Sequence, residues 1–472
     1  MSVPEEVRAK ILVEEVVIEN FKSIKRLVLK LKPGVNLLVG PNAGGKTNIL
    51  EAIYFLYRAL VEEPSRSPYM PHSPQYWSPV DLLYNRDPSA RLRYEIGLRY
   101  LVKDRGRVLE FRPRFVAEFA VTPDRGTIIP VYLALDYSGD AKLEFFSGGL
   151  RFFLRQELFG YVKELGSDVE RLASGLMKVA DGFYVMERSF GELGAQSLAA
   201  LLSILFTPLY AKERVVEVER GVVAVALLIY PWFPIPLALR GRVVSEDEFR
   251  GFDLGSEPPV FTPFGVREVL KGVTLLKHPD IGALREPRHL AQMERLDPRA
   301  TNLAPVLFAL VGRRGGFPDR IMFALSRLFP GTRIRLSPQF GRVAITVEEN
   351  GLELPPPNIA DGMLKLLAIL TAVELGPSIL LIDEIENSMH AEMLEYVIDE
   401  LNSLEIPVLV ATHSPIVVDL VGPERTYVVR KELGTGTVIE GFGNAEELRR
   451  RLGELGVAFS DYVFYEKTRS GS

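Results

Sequence analysis

Hydrophobic and polar positions alternate through the first hundred residues as they do in a sheet. In Val16-Val17-Ile18-Glu19-Asn20 and in Leu27-Val28-Leu29-Lys30-Leu31 the partial alternation predicts two half-buried strands joined by a short turn. Val35-Asn36-Leu37-Leu38-Val39 reads as a buried strand running into a glycine-rich loop. Ile49, Ile53, Leu56 and Leu60 then recur at helical spacing from Thr47 to Leu60, with no glycine or proline to interrupt them.

After a loop rich in proline, serine and tyrosine, period two returns. Leu92, Tyr94, Ile96, Leu98 and Tyr100 share one face and Arg91, Arg93, Glu95 and Arg99 the other, which predicts an antiparallel sheet with a charged, solvated outer face. From Glu157 to about Phe206 the pattern is helical in pieces, with Leu158, Val162 and Leu165 in one and Leu198, Leu201, Leu202 and Leu205 in another. Sustained heptads are missing, so no long coiled coil is expected. Residues 207–290 are dense in proline and glycine and resist assignment. Within them Gly221 to Leu239 carries no charge and is near the length of a membrane span, but Pro231, Pro234 and Pro236 oppose a helix. Val222 to Tyr230 reads instead as a buried strand followed by a proline-rich turn.

Order returns in the last third. Val343, Ile345 and Val347 alternate as a strand, and a helix is expected from about Asp361 to Leu375. Ile379-Leu380-Leu381-Ile382 is a short buried strand, Met393, Leu394, Val397, Ile398 and Leu401 mark a helix, and Val408-Leu409-Val410-Ala411 is another buried strand. This is an α/β unit of parallel type.

A length of 472 residues suggests two or three domains, or one with insertions. A hydrophobic share of 47% with 25% charged residues excludes a mostly disordered or collagen-like chain. With Lys+Arg at 56 against Asp+Glu at 61, the net charge of -5 gives no global basic field for nucleic acid. The absence of cysteine removes disulfides, thiol catalysis and Cys-zinc sites, and the five histidines are too scattered for a metal cage. The amino terminus lacks the basic-then-apolar pattern of a secretion signal, so a cytoplasmic protein without a membrane segment is expected.

Three segments carry chemistry. Gly40-Pro41-Asn42-Ala43-Gly44-Gly45-Lys46-Thr47 is G-x-x-x-x-G-K-T between a strand and a helix. Its glycines let backbone amides curl around phosphates, the helix aims its positive end at them, Lys46 reaches the β and γ groups and the Thr47 hydroxyl coordinates Mg2+. The strand Ile379 to Ile382 delivers Asp383 to that metal, and Glu384 polarises the attacking water. At the end of the next buried strand, Thr412-His413-Ser414-Pro415 places His413 to contact the γ-phosphate.

This order of motifs resembles the ABC-type ATPase heads, and within them the SMC, RecF and OLD group of DNA-maintenance and phage-defence ATPases. The resembling residues are Ile18-Glu19-Asn20-Phe21-Lys22-Ser23-Ile24, Gly40 to Asn48, Ala360-Asp361-Gly362-Met363-Leu364-Lys365-Leu366-Leu367, Asp383-Glu384-Ile385-Glu386-Asn387-Ser388-Met389-His390 and Thr412-His413-Ser414-Pro415. Gly282-Ala283-Leu284-Arg285-Glu286-Pro287-Arg288 and Asn302-Leu303-Ala304 echo the compact members without a coiled coil. The resemblance implies an α/β fold, a P-loop NTPase ABC-type head with an antiparallel β subdomain and an α+β insertion. Residues 1–150 would form the first half of the head, 151–290 an insertion or helical lobe, and 291–472 the second half.

The same resemblance implies a homodimer closed around ATP, with Asp361 and Gly362 of the signature segment acting in trans on the γ-phosphate. Ala360 stands where the family has a serine and removes one hydroxyl donor. Gln156 is the residue implied as the glutamine that senses the metal. ATP and Mg2+ are the implied cofactors; DNA and a separate nuclease or effector protein are the implied partners. Three functions fit: an ATP hydrolase in DNA maintenance or phage defence, a transporter motor, which is usually much shorter, and a switch that dimerises on ATP but hydrolyses little. The residues after His413 hold no paired-carboxylate cluster, so no nuclease is expected in the chain. Arg449-Arg450-Arg451 reads as a solvated helix face that also offers a contact for DNA or protein.

Overall fold

In the computed structural model the alternation of Leu92, Tyr94, Ile96, Leu98 and Tyr100 becomes the strand Leu92–Asp104, with all five side chains buried. The structure describes residues 8–62, 78–104, 106–122, 127–146, 149–162, 178–180, 183–189, 209–218, 221–230, 233–254, 263–290 and 294–467. The chain forms two compact units that interleave in sequence. One comprises Met1–Leu31, Phe55–Lys271 and Lys431–Val438, the other Lys32–Tyr54, Gly272–Arg430 and Ile439–Ser472.

The first unit is built on antiparallel pairing. Arg8–Phe21 lies between Ile24–Lys30 and Leu92–Asp104. Leu92–Asp104 then forks, pairing with Arg114–Thr122 at one end and Arg107–Phe111 at the other. One branch continues through Thr127–Asp136, Ala141–Phe146, Gly149–Arg155 and Phe183–Ser189. The other runs through Phe233–Val244, Gly221–Tyr230 and Leu209–Val218. On the buried face Phe55 meets Phe119 edge-on at 5.6 Å and stacks on Tyr94 at 6.4 Å. On the outer face the arginines are matched by carboxylates, from neighbouring strands for Arg91 with Glu118 (3.1 Å), Arg99 with Glu110 (2.6 Å) and Arg114 with Glu15 (2.9 Å), and within one strand for Arg93 with Glu95 (2.7 Å). That pairing balances the charge of the face, in keeping with the solvated strand face expected from the sequence.

Within Gly221 to Leu239 the strands Gly221–Tyr230 and Phe233–Val244 pair antiparallel, and among the described residues no helix is long and apolar enough to cross a membrane. The proline-rich turn expected after Tyr230 is corrected in part: Pro231 lies outside the described residues, while Pro234 and Pro236 sit inside the strand Phe233–Val244, opposite Ile229 and Leu227. Being two apart, they lose their N–H groups on the same edge, so the opposite edge keeps its ladder. Of the helical reading after Glu157, the structure contains Gln156–Val162, with Leu158 and Val162 buried, and then the strands Lys178–Ala180 and Phe183–Ser189. Leu165 and Leu198 to Leu205 lie outside the described residues.

The second unit is a parallel sheet in the order Val273–Lys277, Ile379–Asp383, Pro407–Thr412, Gly34–Val39 and Thr426–Glu432. Helices Lys46–Tyr57, Ala391–Asn402 and Pro415–Val421 follow strands directly or after short loops. Asp361–Glu374 is buried all round from Met363 to Val373, which is why its sequence, apart from Lys365 and Thr371, is apolar on every face and not along one stripe. Leu303–Arg314 and Asp319–Leu328 join the same core, as does a small antiparallel sheet centred on Arg342–Glu349. The fold is mixed α/β, with a parallel phosphate-loop sheet and an antiparallel β region.

Candidate functional site

Register across the parallel sheet aligns Lys277 with Asp383, Asp383 with Ala411, and Ala411 with Leu38. Four strands therefore release His278, Glu384, His413 and the glycine loop at one edge, the carboxyl end where ligands gather in such sheets. Each strand is buried along nearly its whole length, and that burial fixes where the residue after it emerges.

The loop Gly40 to Thr47 is shaped by backbone approach. A Cβ at Gly40, whose φ is +151°, would lie 2.0 Å from the Val429 carbonyl oxygen, so only glycine fits. Lys46, 6% exposed, donates from Nζ to the carbonyls of Gly40 (2.8 Å) and Pro41 (3.1 Å) and lies 2.9 Å from His413 Nε2. Burial pushes its ammonium down to about 8, against the pull of Asp383, Glu384 and Glu386. Burial and then the Lys46 charge hold the His413 imidazole below its ordinary range, so Nε2 accepts from the lysine. A buried ammonium satisfied by carbonyls and a neutral ring suits an anionic group such as a phosphate chain.

Thr47 Oγ1 donates to Asp383 Oδ2 at 2.9 Å, joining the hydroxyl and carboxylate expected to hold Mg2+. Burial raises the Asp383 carboxyl above its ordinary value, with the Thr47 bond and the His278 and Lys277 charges opposing. Hard oxygen donors of this kind suit Mg2+, which keeps most of its shell for water and substrate phosphate. Glu384 follows with φ of +51°. Its Oε2 accepts from Asn387 Nδ2 at 2.6 Å. Lys365, 3% exposed, donates to the Glu384 and Asn387 carbonyls at 2.7 and 2.8 Å and clamps this loop from below. Glu386 accepts from Thr412 Oγ1 (2.7 Å) and from the His413 amide (2.6 Å), tying it to the next strand end.

Asp361 and Gly362 open their helix as expected, after Ala360, which offers no side-chain cap. Arg285 Nη2 donates to the Ile359 carbonyl (2.7 Å) and to Asp361 Oδ1. A Cβ on Gly362 would lie 2.6 Å from the Ser388 carbonyl oxygen, so this glycine lets the helix start pack against the loop after Glu384. Asn48 lies in the first turn of Lys46–Tyr57. The structure thus brings together the glycine loop, Asp383, Glu384 and His413, with Asp361 and Gly362 against the Glu384 loop. Gln156 belongs to the other compact unit, half-buried at the first position of Gln156–Val162, just past the strand Gly149–Arg155.

Sequence reading did not single out His278, whose Nδ1 lies 3.3 Å from Glu384 Oε2 and Nε2 3.9 Å from Asp383 Oδ2. It follows the strand Val273-Thr274-Leu275-Leu276-Lys277 as Glu384 follows Asp383, but Thr274 and Lys277 break the apolar run that marked the other strand ends. The clamping role of Lys365 and the strand-tying role of Glu386 had no local signal.

A family model described as "AAA domain, putative AbiEii toxin, Type IV TA system" matches residues 274–419, and one described as "AAA ATPase domain" matches residues 12–82. The DNA replication and repair protein RecF of Roseiflexus castenholzii is 62% identical over 39 residues, 8% of this chain and 10% of that protein. RecF of Lactobacillus acidophilus is 49% identical over 43 residues, 9% and 12% respectively. The chain thus aligns with only about a tenth of the length of these curated relatives. Among solved structures, the SMC head bound to the C-winged helix domain of ScpA gives a TM-score of 0.40 at 14% identity, covering 92% of this chain and 99% of that one. The SMC head domain from Thermotoga maritima gives 0.38 at 12%, covering 91% and 99%.

Proposed function

The chain belongs to the AAA/ABC-type ATPases related to the SMC and RecF group, and from that premise we propose that it binds ATP with Mg2+, hydrolyses it, and closes as a head-to-head homodimer in DNA maintenance or phage defence. The observation that carries this reading is the cluster at one sheet edge: Lys46 in its carbonyl cradle, Thr47 bonded to Asp383, and Glu384 beside them. Lys46 binds the phosphates, and Thr47 with Asp383 holds the metal. Mg2+, when bound, neutralises phosphate charge. Glu384 accepts a proton from water as that water attacks the γ-phosphorus and the bond to ADP breaks. His413, drawn toward Lys46, stands ready at the γ-phosphate, and Asp361 and Gly362 serve the nucleotide of the second copy. Gln156 is the proposed metal sensor.

The relatives named for DNA replication and repair and the family model named for a toxin–antitoxin system support DNA and a separate effector as partners. A second reading, an ATP-dependent switch with little hydrolysis, is favoured by one observation: the uncapped Ala360 at the start of the signature helix. ATP turnover and oligomeric state, with and without DNA, separate the two in the intact protein and in Glu384→Gln. Turnover abolished by Glu384→Gln together with ATP-dependent dimers supports the hydrolase; dimers with negligible turnover favour the switch; no ATP-dependent dimer removes both.

A further inference from the structure

We propose that His278 is a positioning residue for Glu384, orienting the carboxylate that takes a proton from water. The inference rests on the hydrolytic reading above. The register Lys277 with Asp383 makes His278 and Glu384 the first residues past two paired strand ends, so their side chains emerge next to each other. Both adopt left-handed backbone, φ of +46° and +51°, a conformation uncommon away from glycine and found where a site constrains the chain. Nδ1 of His278 lies 3.3 Å from Glu384 Oε2, and Asn387 Nδ2 donates to that same oxygen at 2.6 Å.

His413, the histidine that the motif pattern assigns to the reaction, has its Nε2 turned to Lys46 at 2.9 Å. The imidazole beside the carboxylate is therefore the one from the edge strand. Held at Oε2 from two sides, Glu384 presents Oε1 to water. Separations at such sites are often long without nucleotide and tighten in the complex.

The test uses His278→Gly and His278→Asn in the full chain. Glycine removes the imidazole and accepts the positive φ, so the fold is not strained; asparagine also tolerates that φ and restores a donor near the place of Nδ1. The expected result for His278→Gly is a fall in kcat of roughly tenfold to a hundredfold, the scale of a small misplacement, with ATP affinity within about twofold of the intact protein. His278→Asn recovers most of the loss. Unchanged kcat in His278→Gly overturns the proposal, as does an affinity that falls as far as kcat, which would put the imidazole on the nucleotide or its metal.

A second readout needs no nucleotide. The chain has five histidines, so imidazole nitrogen spectra can be assigned by loss of one signal set in His278→Asn. Glu384→Ala is expected to shift the His278 ring nitrogens and leave those of His289 in place; an unmoved His278 signal overturns the coupling. If the intact protein turns over no ATP, the hydrolytic reading fails, and the nitrogen spectra still decide whether the two side chains act on each other.

Discussion

Replacing Lys365 with methionine separates the stability of the second unit from its chemistry. The Nζ of this buried lysine donates to the Glu384 and Asn387 carbonyls at 2.7 and 2.8 Å. Two bonds from a charged donor contribute about 3–6 kcal/mol together. Against them, burial holds the ammonium at about 8 instead of 10.5, so keeping it charged near neutral pH costs about 3 kcal/mol. Methionine approximates the lysine stem without the charge. The net loss is then about 0–3 kcal/mol, less than the roughly 2–5 kcal/mol expected for Leu364→Ala at the fully buried neighbour.

Turnover is expected to respond in the opposite order. The loop from Glu384 to Ser388 begins and ends in left-handed backbone, φ of +51° and +61°, and each such non-glycine residue costs on the order of 1 kcal/mol or more. Without the Lys365 clamp the loop relaxes, and a carboxylate displaced by about 1 Å loses on the order of a hundredfold in rate. Chemical unfolding and steady-state ATP turnover, measured on Lys365→Met and Leu364→Ala, give the comparison. Lys365→Met with intact-protein turnover would refute the clamp, and so would a stability loss larger than that of Leu364→Ala. The lysine also leaves a signature in pH. Its folded pKa lies below its unfolded one, so the cost is fully present below about 8 and disappears toward 10.5; stability from this residue rises with pH across that window, and Lys365→Met removes the rise.

Gly40→Ala forces a Cβ against the Val429 carbonyl, 2.0 Å away, at a φ of +151°; it is expected to cost about 1–3 kcal/mol or more in chemical unfolding and to weaken binding of a fluorescent ATP analogue. Thr47→Val removes the hydroxyl bonded to Asp383 at nearly constant volume, so the Mg2+ concentration for half-maximal turnover should rise about tenfold while ATP affinity in chelator stays unchanged. Glu110 is buried, which raises its carboxyl, yet hydrogen bonds from Arg99 and Arg242 and the charge of Arg112 bring it below its ordinary 4.5. Its contribution is present above the unfolded value and lost as pH falls through the lower folded one. Glu110→Gln should therefore flatten the acid limb of Tm against pH.

The phosphate loop was legible through its G-x-x-x-x-G-K-T spacing, and the strand-end placement of Asp383 and His413 for one physical reason. A short, continuous apolar run becomes a buried strand, and the polar residue that ends it must emerge at the strand's carboxyl end. The sheet of the first unit was legible through the alternation Leu92 to Tyr100, because burial of one face with charge on the other leaves a period of two. The strand Phe233–Val244 was not, since its prolines belong to an edge position and edge status is a property of the assembled sheet, absent from the segment's own pattern.

The same distinction separates the residues of the site. His278 follows a strand end just as Glu384 does, but its meaning depends on Val273–Lys277 pairing with Ile379–Asp383 in the register that sets Lys277 opposite Asp383. Slip that pairing by one residue and the side chains of the edge strand exchange faces, taking the imidazole away from Glu384. Lys365 is harder still: on a helix buried all round it occupies a position where the local pattern calls for an apolar side chain, and the carbonyls of Glu384 and Asn387, with the nearby charges of Glu386, Glu384 and Asp383, make a charge tolerable there. A buried lysine in an apolar helix is a local inconsistency, and such inconsistencies persist where the surrounding structure uses them. Here the use is the loop that carries Glu384, so a substitution that better suits the helix, Lys365→Met, is expected to be the one that disables the site.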